Sequence, residues 1–542
     1  MEKYVIGIDY GTLSARAVLL NTSDGKEVAC TEYVYPHGIM SEKEISGEAA
    51  RPTTALQHPM DYIEALSATT RSVLSSSGVP RESVVGLCID CTASTLLPYS
   101  ADGTPLAFSK DFENNPDAYI KLWKHHGAED DAEQMTRIAR ERGEEWLADY
   151  GGVVSGEWFF PKVAEIARRS PELYDRAEII AEAPEWLCQL ITGECIKSAC
   201  AAGYKALWSS ERGYPSKDYF SSLNNALSHV TDKLPERIIP LGGIAGRINE
   251  RGEELTGLIQ GTIVATPTID AHAALPSAKV TRDGDLMVIF GTSACHIVLS
   301  RKNVSIDGIC GKVDGGVVPG YYAYEAGQPC VGDMLGWFVK NCLPEEYTSE
   351  AERLGENEFD YLNRLAERLT PGESGLIALD WWNGNRSPYV DYSLSGMLVG
   401  LTIKTRPEEI YHALISSVAF GTRRLVELFR DGGITVDRIV AAGGIAMKNH
   451  FFMQVMADVL GAEIFIAESK QSGAKGSAIY AAVAAGCYTS VEEAAEAMGD
   501  EYSTVFYPKS ELAPTYNKLY EMYVELSEHF AKSDIMKRLR AL

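Results

Sequence analysis

The chain has 542 residues, of which 45% are hydrophobic; it is too long for one core and apolar enough to fill two. Its 75 acidic and 50 basic residues give a formal net charge of -25, a surface that repels nucleic acid and anionic membrane, and no basic stripe offsets it. The start, Met1-Glu2-Lys3-Tyr4, leads straight into a strand, no apolar run approaches spanning length, and eleven cysteines lack framework spacing; the expectation is a cytoplasmic protein with free thiols.

In chain order, residues 4 to about 35 read as a three-stranded meander, and Tyr62, Leu66, Thr70 and Val73 predict a helix near Met60 to Ser77. Strands follow at 84–90 and Thr95 to Tyr99. Cys88-Ile89-Asp90-Cys91 matches C-x-x-C spacing, but it lies in an apolar strand with no second pair downstream, so core cysteines are expected. Residues 116–150 are charged and helical in pattern, closed by Gly151-Gly152. From Tyr150 to Trp208, clustered aromatic and small residues break the alternation and read as an insertion that builds a small-molecule pocket. A new strand begins at Gly261-Thr262, which sets the expected boundaries at 1–261, 262–500 and 501–542. Beyond it come a helix at 407–430, the strand Arg438 to Ala442, Gly443-Gly444, a helix from Lys448 to Leu460, the strand Glu463 to Ala467 and an alanine-rich helix from Gly476 to Ala485, an α/β alternation. The tail from Pro514 carries Tyr516, Leu519, Tyr520, Tyr523 and Phe530 on one helical face, the pattern of a packing helix.

Two segments read as one phosphate-gripping hairpin. Tyr4 to Gly11-Thr12, returning through Ala15 to Leu20, matches Leu286 to Gly291-Thr292, returning through Ala294 to Leu299; with the Gly-Thr pairs superposed, Val18 and Leu19 fall on Val298 and Leu299 without a gap. Glycine lets backbone N–H groups approach an anion and threonine adds a hydroxyl donor. Each alone is also what an ordinary β-hairpin looks like. Asp9, set among Val5, Ile6 and Ile8, is costly to bury without a partner or a metal. Walker, dinucleotide and protein-kinase signatures are absent; the nearest imitation, Gly473-Ala474-Lys475-Gly476-Ser477, has its lysine misplaced for a P-loop. Gly443-Gly444 at a strand end would let the backbone approach a nucleoside, and Asn449 would either cap the next helix or face the nucleotide.

In this order, the first hairpin, the second Gly-Thr hairpin and the Gly443-Gly444-Ile445-Ala446 to Asn449 segment resemble the FGGY carbohydrate kinases over nearly the whole chain. The stretches Leu122-Trp123-Lys124, Ser155 to Phe159, Ala202 to Trp208, Gly308 to Gly315 and Glu325 to Gln328 are similar to members that act on L-ribulose. The resemblance implies two actin-like (ribonuclease H-like) α/β domains of the sugar kinase, heat-shock ATPase and actin superfamily, with an interdomain cleft. It implies transfer of phosphate from ATP, with Mg²⁺, to the terminal hydroxyl of L-ribulose, giving L-ribulose 5-phosphate in arabinose breakdown, in a protein whose family habit is a homodimer. Asp270 matches the catalytic base, which accepts the hydroxyl proton as the bond to phosphorus forms; as an Asp after a strand it also reads as a helix cap. Asp9 matches the Mg²⁺ position. Ala93, Lys205, Asp270 and Glu325 are expected to line the sugar, Gly11, Thr12, Gly291 and Thr292 to hold phosphates, and Gly443, Gly444 and Asn449 to meet the nucleoside, with Arg16 and Lys448 as helpers. Where many members have Trp-x-Asp-x-Arg, this chain has Trp123-Lys124-His125-His126-Gly127, and the histidines read as a solvated helix. Another ketopentose such as D-ribulose is the alternative substrate, and a nucleotide-driven binding module of chaperone type is the alternative of a different class.

Overall fold

The computed structural model describes residues 2–48, 51, 53–467, 471–540 and 542. The chain forms two compact units: Met1–Thr281 with Lys312–Ala323 and Ser469–Asp500, and Arg282–Gly311 with Tyr324–Glu468 and Glu501–Leu542.

In the first unit, β1 (Tyr4–Tyr10), β2 (Ser14–Asn21) and β3 (Glu27–Val34) form the expected antiparallel meander, and β4 (Val84–Cys91) lies parallel to β1. The sheet continues through β5 (Ile244–Arg247), β6 (Ile263–Ala265) and β7 (Thr268–Ile269) in the order β5-β6-β4-β1-β2-β3, with β7 paired to the far end of β4. Strands buried on both faces need no polar alternation, and β1 and β4 are apolar almost throughout. The helix Pro59–Ser77 covers the sheet, much as its spacing predicts.

The boundary expected at residue 262 does not coincide with the division into units. Both β6 and β7 pair in parallel with β4, so they belong to the first unit, which runs to Thr281. The helix Ser472–Ala484 also returns to this unit and lies on β1, β4 and the helix Asp270–Ser277. Its glycines and alanines allow this approach: a Cβ on Gly7 would collide with the Ala474 carbonyl, one on Gly86 with that of Ala481, and one on Gly476 with that of Ala273. That accounts for Gly473 to Ser477 as a packing surface rather than an anion loop.

A four-stranded sheet (Leu56–Gln57, Ile120–Lys121, Leu96–Tyr99 and Ile179–Glu182) carries the rest of the first unit. Of the aromatics expected to build a pocket, Tyr150, Trp158, Phe159 and Phe160 instead fill a buried core, which Trp146 and Tyr219 join. The charged stretch 116–150 is α-helical over Glu129–Arg142, with short 3-10 turns at Pro116–Ala118 and Glu145–Tyr150.

In the second unit, β8 (Asp285–Phe290), β9 (Ala294–Ser300), β10 (Tyr322–Gln328), β11 (Arg438–Ala442), β12 (Ile464–Ala467) and β13 (Tyr502–Phe506) run in the order β10-β9-β8-β11-β12-β13. β8 is antiparallel to β9 and parallel to β11, and β12 is parallel to β11 and antiparallel to β13. The same sheet plan therefore occurs twice. The gapless match of the hairpins shifts by one residue, because Tyr10 pairs with Ala15 whereas Phe290 pairs with Ala294; Val18 thus faces Gly7, but Val298 faces Leu286. The tail forms the helix Ala513–Lys532 with Tyr516, Tyr520 and Tyr523 buried. All eleven cysteines are free thiols, and no helix among the described residues is long and apolar enough to cross a membrane.

Candidate active site

Three parallel strands of the first unit carry the same dipeptide at or beside their C-terminal ends, Ile8-Asp9, Ile89-Asp90 and Ile269-Asp270. Asp9 is the register partner of Asp90, and Asp90 of Thr268, two residues before Asp270, so three carboxylates gather at the C-terminal ends of neighbouring strands. This is where α/β sheets present ligand-binding groups. Asp90 escaped the sequence reading, although its repeated Ile-Asp was the available signal. Burial, reinforced by the charge of Asp9, pushes the Asp90 carboxyl well above the usual range, and Ser477 Oγ donates to its Oδ2 at 2.6 Å. Burial also raises Asp9, while its hydrogen bond with Asp90 and the charge of Arg16 oppose the rise. Of the two, Asp90 is raised further, so it holds a proton more tightly than Asp9 does. Gly473 stands over both, its missing Cβ 3.2 Å from Asp9 Cγ and 3.1 Å from Asp90 Oδ1. A half-buried carboxyl group at a strand end, backed by a second one, fits a hydrated Mg²⁺, which takes only one or two carboxylates and keeps its waters.

Asp270 is the first residue of the helix Asp270–Ser277 and accepts from the Ala271 N–H at 2.6 Å, so the helix-start role and the carboxylate cluster coexist. Two residues on, the His272 ring lies 4.1 Å from that of Tyr204, which joins the helix Ala199–Lys205, whose last residue is Lys205, to this strand end. Ala93 sits half-buried in the turn after β4. Glu325 lies buried in β10, in the second unit.

The first Gly-Thr turn is fixed from outside. Gly11 donates its N–H to the Ser14 carbonyl at 3.0 Å, as Gly291 does to Ser293 at 2.8 Å, so neither glycine offers its own N–H to an anion. Neither has a left-handed φ; the part each plays is a bare α-carbon, and the donors are the groups beyond it. Thr12 Oγ1 accepts from Trp123 Nε1 at 3.1 Å, which leaves its own proton to donate.

The Trp123 segment is no solvated helix. It is a turn, and His125 is fully buried: the Ala55 N–H donates to its Nδ1 at 3.4 Å while Nε2 lies 2.7 Å from Glu165. Burial lowers the imidazole to about 4, which leaves it neutral with its proton on Nε2. His125 is therefore a structural member of an ion-pair cluster. Gly127 completes the turn, since a Cβ there would come within 2.5 Å of Glu165.

In the second unit, a pocket of about 660 Å³ opens beside the other Gly-Thr turn, lined by Gly291, Thr292, Gly444, Lys448 and Asn449. Leu335, Phe359 and Ile445 give it apolar walls suited to a flat base, and Asn357, Asp360 and Asn363 give it polar ones. The 357–363 wall carries no recognisable spacing and was not foreseen. Val331 and Gly332, at the head of the helix Gly332–Cys342, donate to the carbonyls of Thr292 and Gly291 at 2.7 and 3.0 Å, which holds the turn. The helix expected from Lys448 runs over His450–Leu460, separated by Asn449 from the short helix Gly444–Lys448; Asn449 Oδ1 accepts from Phe452 N–H at 2.9 Å and its Nδ2 donates to Tyr411. Its side chain is thus a cap as well as part of the pocket rim.

The model of the N-terminal domain of the FGGY family of carbohydrate kinases matches residues 4–276, and that of the C-terminal domain residues 286–485. A ribulokinase of Geobacillus thermodenitrificans is 44% identical over 99% of this chain and 97% of that protein. One from Mycolicibacterium smegmatis is 41% identical over 100% and 96%. Among solved structures, xylulose kinase from Rhodospirillum rubrum superposes with a TM-score of 0.79 at 22% identity over 97% of this chain and 99% of that one. Glycerol kinase from Plasmodium falciparum with ADP gives 0.75 at 16% over 97% and 98%. With both domain models matched in order and relatives similar from end to end, the chain belongs to the FGGY family of carbohydrate kinases.

Proposed function

We propose that the chain transfers the γ-phosphoryl group of ATP to the terminal hydroxyl of L-ribulose, giving L-ribulose 5-phosphate and ADP. The observation that carries this reading is the end-to-end similarity, at 44% identity, to a protein named ribulokinase. Asp270 is the base: its carboxylate takes the hydroxyl proton as the oxygen–phosphorus bond forms and the bond to the bridging oxygen of ADP breaks. Ala93, Lys205 and Glu325 are assigned to the sugar, with Lys205 as donor and Glu325 as acceptor. Thr12 and Thr292 are assigned to phosphate oxygens, and Gly443, Gly444 and the rim at Asn449 to the nucleoside. Asp9 would hold Mg²⁺ through water, with Asp90 beside it; the ion, when bound, neutralises phosphate charge.

The test is ADP release with Mg-ATP against L-ribulose, D-ribulose, L- and D-xylulose and glycerol, with Asp270→Asn alongside. Asparagine still accepts from the Ala271 N–H, so the helix start survives while the base is lost. The expected result is preference for L-ribulose and a fall in kcat of about a hundred- to ten-thousand-fold in the variant. ADP release indifferent to every sugar would instead favour a nucleotide-driven binding module.

A further inference from the structure

The turn that carries Ala93 is gripped by two buried charges that the catalytic reading leaves unused. Ser94 has φ +52°, a left-handed conformation uncommon outside glycine. Its N–H donates to Glu182 Oε2 at 3.1 Å, and its carbonyl accepts from Lys162 Nζ at 2.8 Å. The Lys162 ammonium also reaches the carbonyls of Leu122 at 2.8 Å and Trp123 at 3.4 Å. One cation thus ties the Ala93 turn to the residue whose indole donates to Thr12. Glu182 starts the helix Ala183–Thr192 and Lys162 belongs to the helix Phe159–Arg169, so two separate elements converge on one residue. Both side chains are essentially inaccessible. Burial pulls the Lys162 ammonium down to about 7 and pushes the Glu182 carboxyl up to about 7, so neither charge is held at low cost. A four-residue turn does not require two buried charges merely to close.

We propose that Lys162 and Glu182 are positioning residues for sugar recognition, which hold Ser94 in its left-handed conformation and so fix how Ala93 meets the sugar. The inference rests on the assignment of Ala93 to the sugar.

The test uses the full chain with Lys162→Met, Glu182→Gln and the double variant Lys162→Met with Ser94→Gly, each measured for sugar KM, ATP KM and melting temperature. Lys162→Met should raise the ketopentose KM about tenfold, the scale of a lost hydrogen bond to a charged group, with ATP KM changed less than about twofold. Glu182→Gln keeps an acceptor for Ser94 and should raise sugar KM about threefold, which decides the matter if the lysine variant does not fold. Glycine adopts positive φ without strain, so the double variant should recover most of the sugar KM. A merely structural role would lower the melting temperature and leave the split between the two KM values untouched, and that result in folded variants overturns the inference. If the unaltered chain phosphorylates no ketopentose, the functional reading falls and takes the inference with it; if it does so and the variants keep their sugar KM, only the inference falls.

Discussion

At Gly443 the backbone φ is +93° and a side chain would collide with the Phe290 carbonyl, whereas Gly444 has an ordinary φ and nothing within 4 Å of where a Cβ would stand. The first glycine is demanded by the fold. The second is left bare only on the side that faces the pocket, which is what close approach by a ligand requires. Gly443→Ala should therefore cost more than about 1 kcal/mol of stability. Gly444→Ala should leave the melting temperature within about 2 °C while raising the KM for ATP several-fold. Calorimetry beside ATP kinetics separates the two, and an unchanged ATP KM in Gly444→Ala would remove the nucleoside from this site. At this scale the sequence was informative where a residue type is constrained by chemistry, as with Asp9 and Asp270. It was uninformative where a partner arrives from elsewhere: Asp90 looked like the middle of an apolar C-x-x-C, and Lys162 like any helix lysine, until the strand register and the carbonyls around them are known.

The turn at 121–127 and the helix Phe159–Arg169 are joined by charge. Lys121 Nζ lies 2.7 Å from Asp117 and 3.0 Å from Glu165, His125 Nε2 lies 2.7 Å from Glu165, and Arg51 reaches the same carboxylate at 2.8 Å. Burial lowers His125 to about 4. Burial alone would raise Glu165, but the Lys121 charge and the His125 hydrogen bond hold it below the usual carboxylate range. The signs agree. Between the unfolded imidazole value of 6.5 and about 4, the unfolded chain binds a proton that the folded chain refuses, so stability falls as pH falls through that window. Glu165, protonated in the unfolded chain below about 4.5, continues the loss further down. Buried His412 and His296, lowered to about 4 and about 3, act in the same direction in the second unit. Below pH 6.5 these histidines lower the melting temperature while Glu182, raised to about 7, acts the other way, and His125→Gln should remove up to about 1.4 kcal/mol per pH unit, one proton's share, from the histidines' part. A variant profile parallel to the parent's would show that the cluster does not titrate as described. Periodicity placed the helices at Pro59–Ser77 and Pro407–Asp431 closely, but it read 116–150 as one helical stretch because charged residues satisfy the helical pattern equally well in an ion-paired turn.

Over the whole molecule, the duplication was visible in the two Gly-Thr hairpins, and the repeated strand order bears it out. The division of the chain was not visible. That β6 and β7 pair with β4, and that the helix Ser472–Ala484 closes the first unit, are contacts across long stretches of sequence that leave no local mark; an alanine-rich helix reads alike in either unit. This has a consequence for how the first unit holds together. The helix buries Ala474, Ala478, Ile479, Tyr480, Ala481 and Ala482 completely, and Ser477 satisfies Asp90. At roughly 25 cal/mol per Å² of apolar surface, its removal costs several kcal/mol, a large share of the roughly 5–15 kcal/mol by which a domain is stable. It would also expose the bare face around Gly7 and Gly86 and leave the Asp9 and Asp90 carboxyls without cover. The fragment Met1–Thr281 should accordingly show no cooperative thermal transition, although it contains all but the last-arriving parts of its sheet and helices. Fusing Ser469–Asp500 behind it through a flexible Gly/Ser linker should restore a sharp melt, read by circular dichroism at 222 nm. If the shorter fragment melts as sharply as the fusion, the helix covers a core that is already sufficient, and the glycines of β1 and β4 need another explanation.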